Sequence, residues 1–367
     1  MRIDRIELRE LPMRLRFRFQ TSFGAEQDRR ILLVTLYGEG LEGYAECVAG
    51  EGPGYSSETI DTCWSVIESF VAPRLVGRSF STPDELLHAL APIRGHDMAV
   101  ASVEMAFWDL LAKSWNVPLW VALGGHERPI PVGISIGIQE SVQATVESAR
   151  AAVAEGYRRV KLKIQPGWDV APVAAVREAL PDVPLTVDAN SAYRLTDARV
   201  LRQLDAFGLD YVEQPLAHDD LIDHAELQRQ LTTPICLDES VHSPEDARKG
   251  LQLGSGRIIN VKVGRVRGFR RARQVHDVAQ AFGAPVWCGG MLEAGIGRAA
   301  NLHLSTLEGF TLPGDTSSAS RYWERDLIEQ PLEAVDGLQA VPADGPGLGV
   351  TLDRSFIEAR TTRVETY

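Results

Sequence analysis

At 367 residues the chain is too long for one ordinary domain and fits two, or one large barrel with an addition. A net charge of −12 excludes the electrostatic footprint of a nucleic-acid binder and requires any anion site to be locally cationic. No run approaches the ~18 apolar residues of a membrane span, and the arginine-dense stretch Met1 to Gln20 lacks a signal-peptide core, so a cytoplasmic protein with no membrane partner is expected.

Residues 1–125 read as an α+β module, strands first and helices after. Ile3–Leu11 and Ile31–Glu39 have strand character, and Gln20–Asp28 and Ala49–Ser57 read as Gly- and Ser-rich loops. Helical spacing runs through 57–75 and 82–90. It is clearest from Met98 to Trp115, where Val103, Ala106, Phe107, Leu110 and Leu111 share a face. Two of the four cysteines, Cys47 and Cys63, fall here and two, Cys236 and Cys288, later. Without C-x-x-C spacing all four read as buried, reduced thiols.

From about 130 the rhythm changes to short apolar strands alternating with helices. Strands are expected at 131–138, 160–164, 185–188, 211–213, 235–238, 258–263, 285–288 and 310–312. Helices are expected at 141–155, 169–180, 196–207, 221–231, after Ser243, at 269–282 and at 296–308. Thr196 and Ser243 are expected N-caps, the latter with Pro244 at the first helical position. Eight strands and seven intervening helices close most simply as an α/β fold, a modified TIM barrel of (β/α)7β type, over residues 126–321. Residues 322–367, rich in Pro and Gly, are expected to return to the first module and complete an N-terminal α+β capping domain.

The strand Arg159–Ile164 holds Lys161 and Lys163 two residues apart, hence on one face. Alone, such a pair more often marks a solvated edge. Side by side, two ammonium groups lower the proton affinity of at least one, which suits a base at neutral pH. Lys163, Asp188, Glu213, Asp238 and Lys262 follow one another at intervals of 25, 25, 25 and 24 residues. That interval is about one βα unit, so five ionisable groups are expected at one height on successive strands, at the C-terminal mouth. Three carboxylates there cannot all stay ionised without a cation, and oxygen ligands without His or Cys favour magnesium, or manganese, over zinc. With a substrate carboxylate between them, either Lys163 or Lys262 can take the proton α to it. Asn190 shares the face of Asp188, Asn260 that of Lys262, and Ser135 points inward on the first strand, so each binds substrate or holds a catalytic group. Glu239 stands behind Asp238 as a supporting group. Gly289 and Gly290 leave room for a ligand at the backbone, with Met291 and Leu292 as an apolar wall.

At these residues the chain resembles the enolase superfamily, in its muconate-lactonizing subgroup, over its whole length. The likeness is carried by Lys161-x-Lys163, Asp188-x-Asn190, Glu213-Gln214-Pro215, Asp238-Glu239 and Lys262. The runs WCGGMLEAGIGRAANLHLSTL and LPGDTSSASRYWERD are similar to those of o-succinylbenzoate synthases that also act as N-succinylamino acid racemases. The resemblance implies Asp188, Glu213 and Asp238 as magnesium ligands, Lys163 as the base, and Lys262 as electrostatic partner or second base. It implies that Lys161 can contact the substrate carboxylate. It also implies that cap loops around Phe23 and Gly50–Tyr55 close the mouth on a small-molecule carboxylate, and that the chains associate as homo-oligomers. Dedicated N-acylamino acid racemases share the same five residues. Muconate cycloisomerases share the lysine pair and differ only in the C-terminal runs. A non-catalytic barrel would be expected to have lost one of the five, and all remain.

Overall fold

The computed structural model describes residues 1–367. The chain opens with a long antiparallel hairpin, β1 (Arg5–Thr21) and β2 (Gly24–Gly38). Ile6 and Leu8 on one face of β1 and Leu11, Met13 and Leu15 on the other are buried, while Arg14, Arg16 and Arg18 face solvent. The expected loop at Gln20–Asp28 is therefore corrected: both strands run into it and turn at Ser22–Phe23. A register shift between Arg14 and Phe19 bends this tip, and Ser22 Oγ donates to Ala189 O at 3.0 Å, pinning it to the barrel. A third strand, β3 (Leu41–Cys47), follows a two-residue turn in which Glu39 and Gly40 have φ of 53° and 79°. Helix Asp97–Ser114 packs on β2 and β3 and is buried along almost its whole length.

A short β4 (Ile130–Pro131) splits off the first expected barrel strand, leaving β5 (Ile134–Ile136) in the barrel. β6 (Val160–Lys163), β7 (Leu185–Asp188), β8 (Val212–Glu213), β9 (Ile235–Leu237), β10 (Ile258–Val261) and β11 (Val286–Cys288) follow in one parallel sheet, in sequence order. Every residue of β5 to β11 is buried, because helices cover one face and the barrel interior the other. The eighth position is filled by an extended segment rather than a regular strand. Phe310 bridges Val286 on one side and Gly314 bridges Val132 on the other, and Asp315 N donates to Cys288 O at 3.0 Å. Pro313, which has no N–H, interrupts the ladder there.

Six of the seven intervening helices lie where the periodicity puts them; the third, expected over 196–207, is a single α turn, Ala198–Leu201, flanked by tighter 3₁₀ turns. Ser243 caps its helix through Asp246 N, as expected. Thr196 does not cap: the turn begins earlier, because the Asp197 side chain accepts from Arg194 N at 2.9 Å. In the tail, β12 (Leu338–Gln339) pairs with β4, and β13 (Arg363–Thr366) pairs antiparallel with β1, so the C-terminal segment does return to the first sheet. The four cysteines are buried and free. No helix is long and apolar enough to cross a membrane.

Candidate active site

Strand register sets the site. Lys163 is paired with Asp188, Asp188 with Glu213, Glu213 with Cys236, and Cys236 with Ile258. Following the ladder from Lys163 thus leads to Ile258, four residues before Lys262. Over four strand steps, a drift of four residues is the tilt of a closed barrel, so Asp238 and Lys262 remain in the same ring although they are not direct ladder partners. The equal sequence intervals reflect this tilt, not a flat register.

All five groups of the ring are buried. Lys163 Nζ donates to Asp188 Oδ2 at 2.6 Å and to Asn190 Oδ1 at 2.7 Å. On the opposite wall Lys262 Nζ donates to Asp238 Oδ2 at 2.9 Å and to the Tyr55 hydroxyl at 3.1 Å. Asn260 Nδ2 holds Glu213 Oε1 at 2.8 Å, and Asn190 Nδ2 holds Glu239 Oε1 at 3.0 Å. Both asparagines and Glu239 are thus supports for the ring. Tyr55, from the loop after β3, stacks obliquely on Phe23 from the hairpin tip, with ring centroids 6.5 Å apart.

Lys161 lies deeper. Its Nζ sits 2.9 Å from Glu213 Oε2 and 2.8 Å from Asp315 Oδ2, with the Trp287 ring 4.6 Å away. Of the pair, Lys161 does not lose proton affinity. Burial pushes it down, but Asp315, Glu213 and Asp188 outweigh burial and hold it above the ordinary lysine value. Lys262 is likewise held high: burial opposes its charge, and the oxygens of Tyr55, Glu239, Glu213 and Asp188 prevail.

The three carboxylates do not converge on one point; each is turned onto a cation. A buried carboxylate takes the nearest positive charge, and here that is a lysine or, for Asp238, also Arg265. Burial works against the Asp188 carboxylate, but Lys163 and Lys161 hold it below the ordinary range. Glu213 goes the other way, raised by burial and then by the charge of Asp188. The donor set fits a hard divalent ion. It offers three carboxylates on neighbouring strands, with no His or Cys among them.

Two spaces that share Phe19, Lys163, Lys262, Gly290 and Leu292 in their linings open at this ring. The outer cavity, about 530 Å³, is lined by Lys163, Lys262, Asn190, Phe23, Tyr55 and Met291, among others. The inner one, about 60 Å³, is lined by Ser135, Lys161, Lys163, Asp188, Lys262 and Gly290 with several partners from β11 onward. The room at Gly289 is used differently from expectation: a Cβ there would strike Asn260 and Lys262, so the space is filled by those side chains rather than by a ligand. Gly290 does face both cavities.

Some residues escaped sequence reasoning. Asp315 ties Lys161 to Arg159 Nη2 at 2.6 Å, and Arg265 ties Asp238 to Tyr55. Both lie off the strand interval. Asp315 follows the last extended segment, a position that could have flagged it; nothing flags Arg265.

Residues 5–124 match the mandelate racemase / muconate lactonizing enzyme N-terminal domain, and residues 144–356 match the enolase C-terminal domain-like family. The chain belongs to the mandelate racemase / muconate lactonizing enzyme family of the enolase superfamily. It is 54% identical to an N-succinylamino acid racemase of Thermus thermophilus, over 98% of each chain. It is 52% identical to an o-succinylbenzoate synthase of Geobacillus kaustophilus, over 98% of this chain and 96% of that one. A solved member of the superfamily from Listeria innocua superposes with a TM-score of 0.96 at 37% identity, covering 100% of this chain and 99% of the other. Enzymes of this family generally use a divalent metal ion.

Proposed function

We propose that this chain is an o-succinylbenzoate synthase with N-succinylamino acid racemase activity. The synthase reaction is the syn dehydration of 2-succinyl-6-hydroxy-2,4-cyclohexadiene-1-carboxylate in menaquinone biosynthesis. The observation that carries the reading is the placement of Lys163 and Lys262 on opposite walls of one cavity, above a ring of three buried carboxylates. Close relatives named for each of the two activities support it.

Asp188, Glu213 and Asp238 would hold magnesium, with manganese as substitute, and the ion would supply positive charge to the enediolate oxygens. The remaining chemistry belongs to the chain. Lys163, as the amine, takes the proton α to the substrate carboxylate. Asn190 and Asp188 fix its direction. The resulting ammonium then gives that proton to the departing ring hydroxyl on the same face, releasing water and o-succinylbenzoate. Lys262 stabilises the enediolate from the opposite wall. With an N-succinylamino acid, Lys262 instead returns a proton to the opposite face and inverts the centre. Lys161 contacts the substrate carboxylate from below, Ser135, Gly290 and Met291 bound the substrate, and Phe23 and Tyr55 cover it.

A second reading, a dedicated N-succinylamino acid racemase, is favoured by the Thermus relative. Assay of the purified protein with magnesium against both substrate types separates the two. Absence of turnover on both, with no effect of EDTA on any α-carboxylate substrate, would overturn the assignment. The same reading makes the protein a cytoplasmic homo-oligomer with domain boundaries near 125 and 321.

A further inference from the structure

Five arginines are buried: Arg29, Arg159, Arg265, Arg267 and Arg298. Four give N–H groups to oxygens. Arg29 donates to Met291 O, Arg159 to Asp315, Arg265 to Asp238, and Arg267 to Asp97. The Arg298 guanidinium donates to nothing and forms no ion pair, and its Nε and Nη2 are buried without a partner. It is only 2% exposed. Burying a guanidinium in this way is costly unless an anion completes it.

Arg298 reaches from helix Gly295–Leu304 into the inner cavity and lies over the Tyr322 ring, 5.0 Å from its centroid. Ser135 Oγ, on the same cavity, also lacks a partner. The three carboxylates lining that cavity are already engaged: Asp188 by Lys163, Asp315 by Lys161 and Arg159, and Glu293 by Asn301 Nδ2 at 2.9 Å. Asp326, whose charge Arg298 also feels, accepts from Gly295 N and Leu327 N and forms no ion pair with it. The planar donor set of Arg298 and the unpartnered Ser135 hydroxyl, both on the lining of a space of about 60 Å³, suit a carboxylate. The receptors of the reacting carboxylate, Lys161, Lys163, Asp188 and Lys262, line the same inner space. We propose that Arg298 receives the distal carboxylate of the substrate's succinyl group and so sets the preference for succinylated substrates. This rests on the function proposed above. Both substrate carboxylates then point into the inner space, and the outer cavity takes the rest of the molecule.

The test is calorimetric titration of the magnesium-loaded protein with two ligand pairs that differ only in the distal carboxylate. These are o-succinylbenzoate against 2-butyrylbenzoate, and N-succinyl- against N-butyryl-phenylalanine. The wild type should favour the succinylated member by roughly 10- to 100-fold. Arg298→Met should bring the ratio close to one through loss on the succinylated member. Arg298→Lys should recover part of it, and the thermal midpoint should hardly move. A ratio that survives in Arg298→Met, equal weakening of both members, or a preference removed by Arg29→Met instead would each overturn the inference. If Arg298→Met does not fold, Arg298→Lys decides, since an unchanged ratio in that variant overturns it too. A wild type that binds neither succinylated ligand overturns the functional reading itself; one that binds them with a ratio insensitive to Arg298 overturns this inference alone.

Discussion

A Cβ built on Gly289 would stand 2.7 Å from Lys262 Cε and 2.3 Å from Asn260 Oδ1. Gly289 is therefore the floor across which Lys262 reaches the cavity, and its neighbour Asn260 steadies Glu213 through the same gap. Gly289→Ala should displace Lys262, lower turnover roughly 10- to 100-fold and cost about 1–3 kcal/mol of stability. At Gly290 the nearest atom to such a Cβ is 3.4 Å away, so Gly290→Ala should retain wild-type stability. Parallel thermal melts and rate measurements distinguish the two variants.

The two walls differ in role. Lys163→Ala should abolish both dehydration and racemisation. Lys262→Ala should abolish racemisation, yet leave dehydration measurable at a rate lowered roughly 100-fold or more by lost charge stabilisation. Exchange of the substrate α-proton with deuterated solvent should persist in Lys262→Ala and vanish in Lys163→Ala. Similar residual rates for both reactions in Lys262→Ala would count against a two-lysine mechanism.

Chelation bears on the carboxylate ring. EDTA treatment should remove activity, and added magnesium or manganese should restore it. The thermal midpoint should rise on adding the ion to the stripped protein, because binding to the folded state alone stabilises it. Asp238→Asn should abolish that rise. A stripped protein with full activity would exclude the proposed ligand set.

Acid stability should depend on the cap–barrel junction. Glu104 accepts from Phe269 N at 2.8 Å and Arg270 N at 2.9 Å, capping a barrel helix from the cap, with Trp108 Nε1 as third donor. Burial still pushes its carboxyl up to about 7, and nearby Asp84 adds to the rise although it is itself paired with Arg270. A folded-state value above the unfolded one means that the folded protein binds the extra proton. Stability should therefore increase as pH falls from about 7 towards about 4.3, the unfolded value, as far as this group is concerned. Glu104→Gln should flatten that segment of the profile, read from denaturant midpoints at several pH values. An unchanged slope would show that Glu104 does not titrate there.

Much of the site is legible because the βα repeat has a nearly constant length. Lys163, Asp188, Glu213, Asp238 and Lys262 recur at that length, and strand alternation tells which neighbours, Lys161, Asn190 and Asn260, share their face. The helices are legible from their 3.6-residue apolar spacing, and Ser243 from its cap chemistry. β3 was missed because its Gly43 and two glutamates dilute the alternation; the Glu39–Gly40 turn was the signal for it. The hairpin tip was misread because its Gly and polar residues look like a loop, while its strand pairing is held by contact with the barrel mouth at Ala189.

By itself, then, the sequence determined the order of elements and the identity of the ring, since both follow from local periodicity. Only the tertiary structure decided how the charges are paired. Arg265 meets Asp238, and Asp315 meets Lys161, from positions with no fixed interval to the ring, across strand closure and loop. The tertiary structure also decided that Lys161 is held protonated between Glu213 and Asp315, and that Arg298 stands without a partner. Ion pairing in a buried site depends on which groups share a low-dielectric space, and chain folding sets that distance, whatever the separation along the sequence.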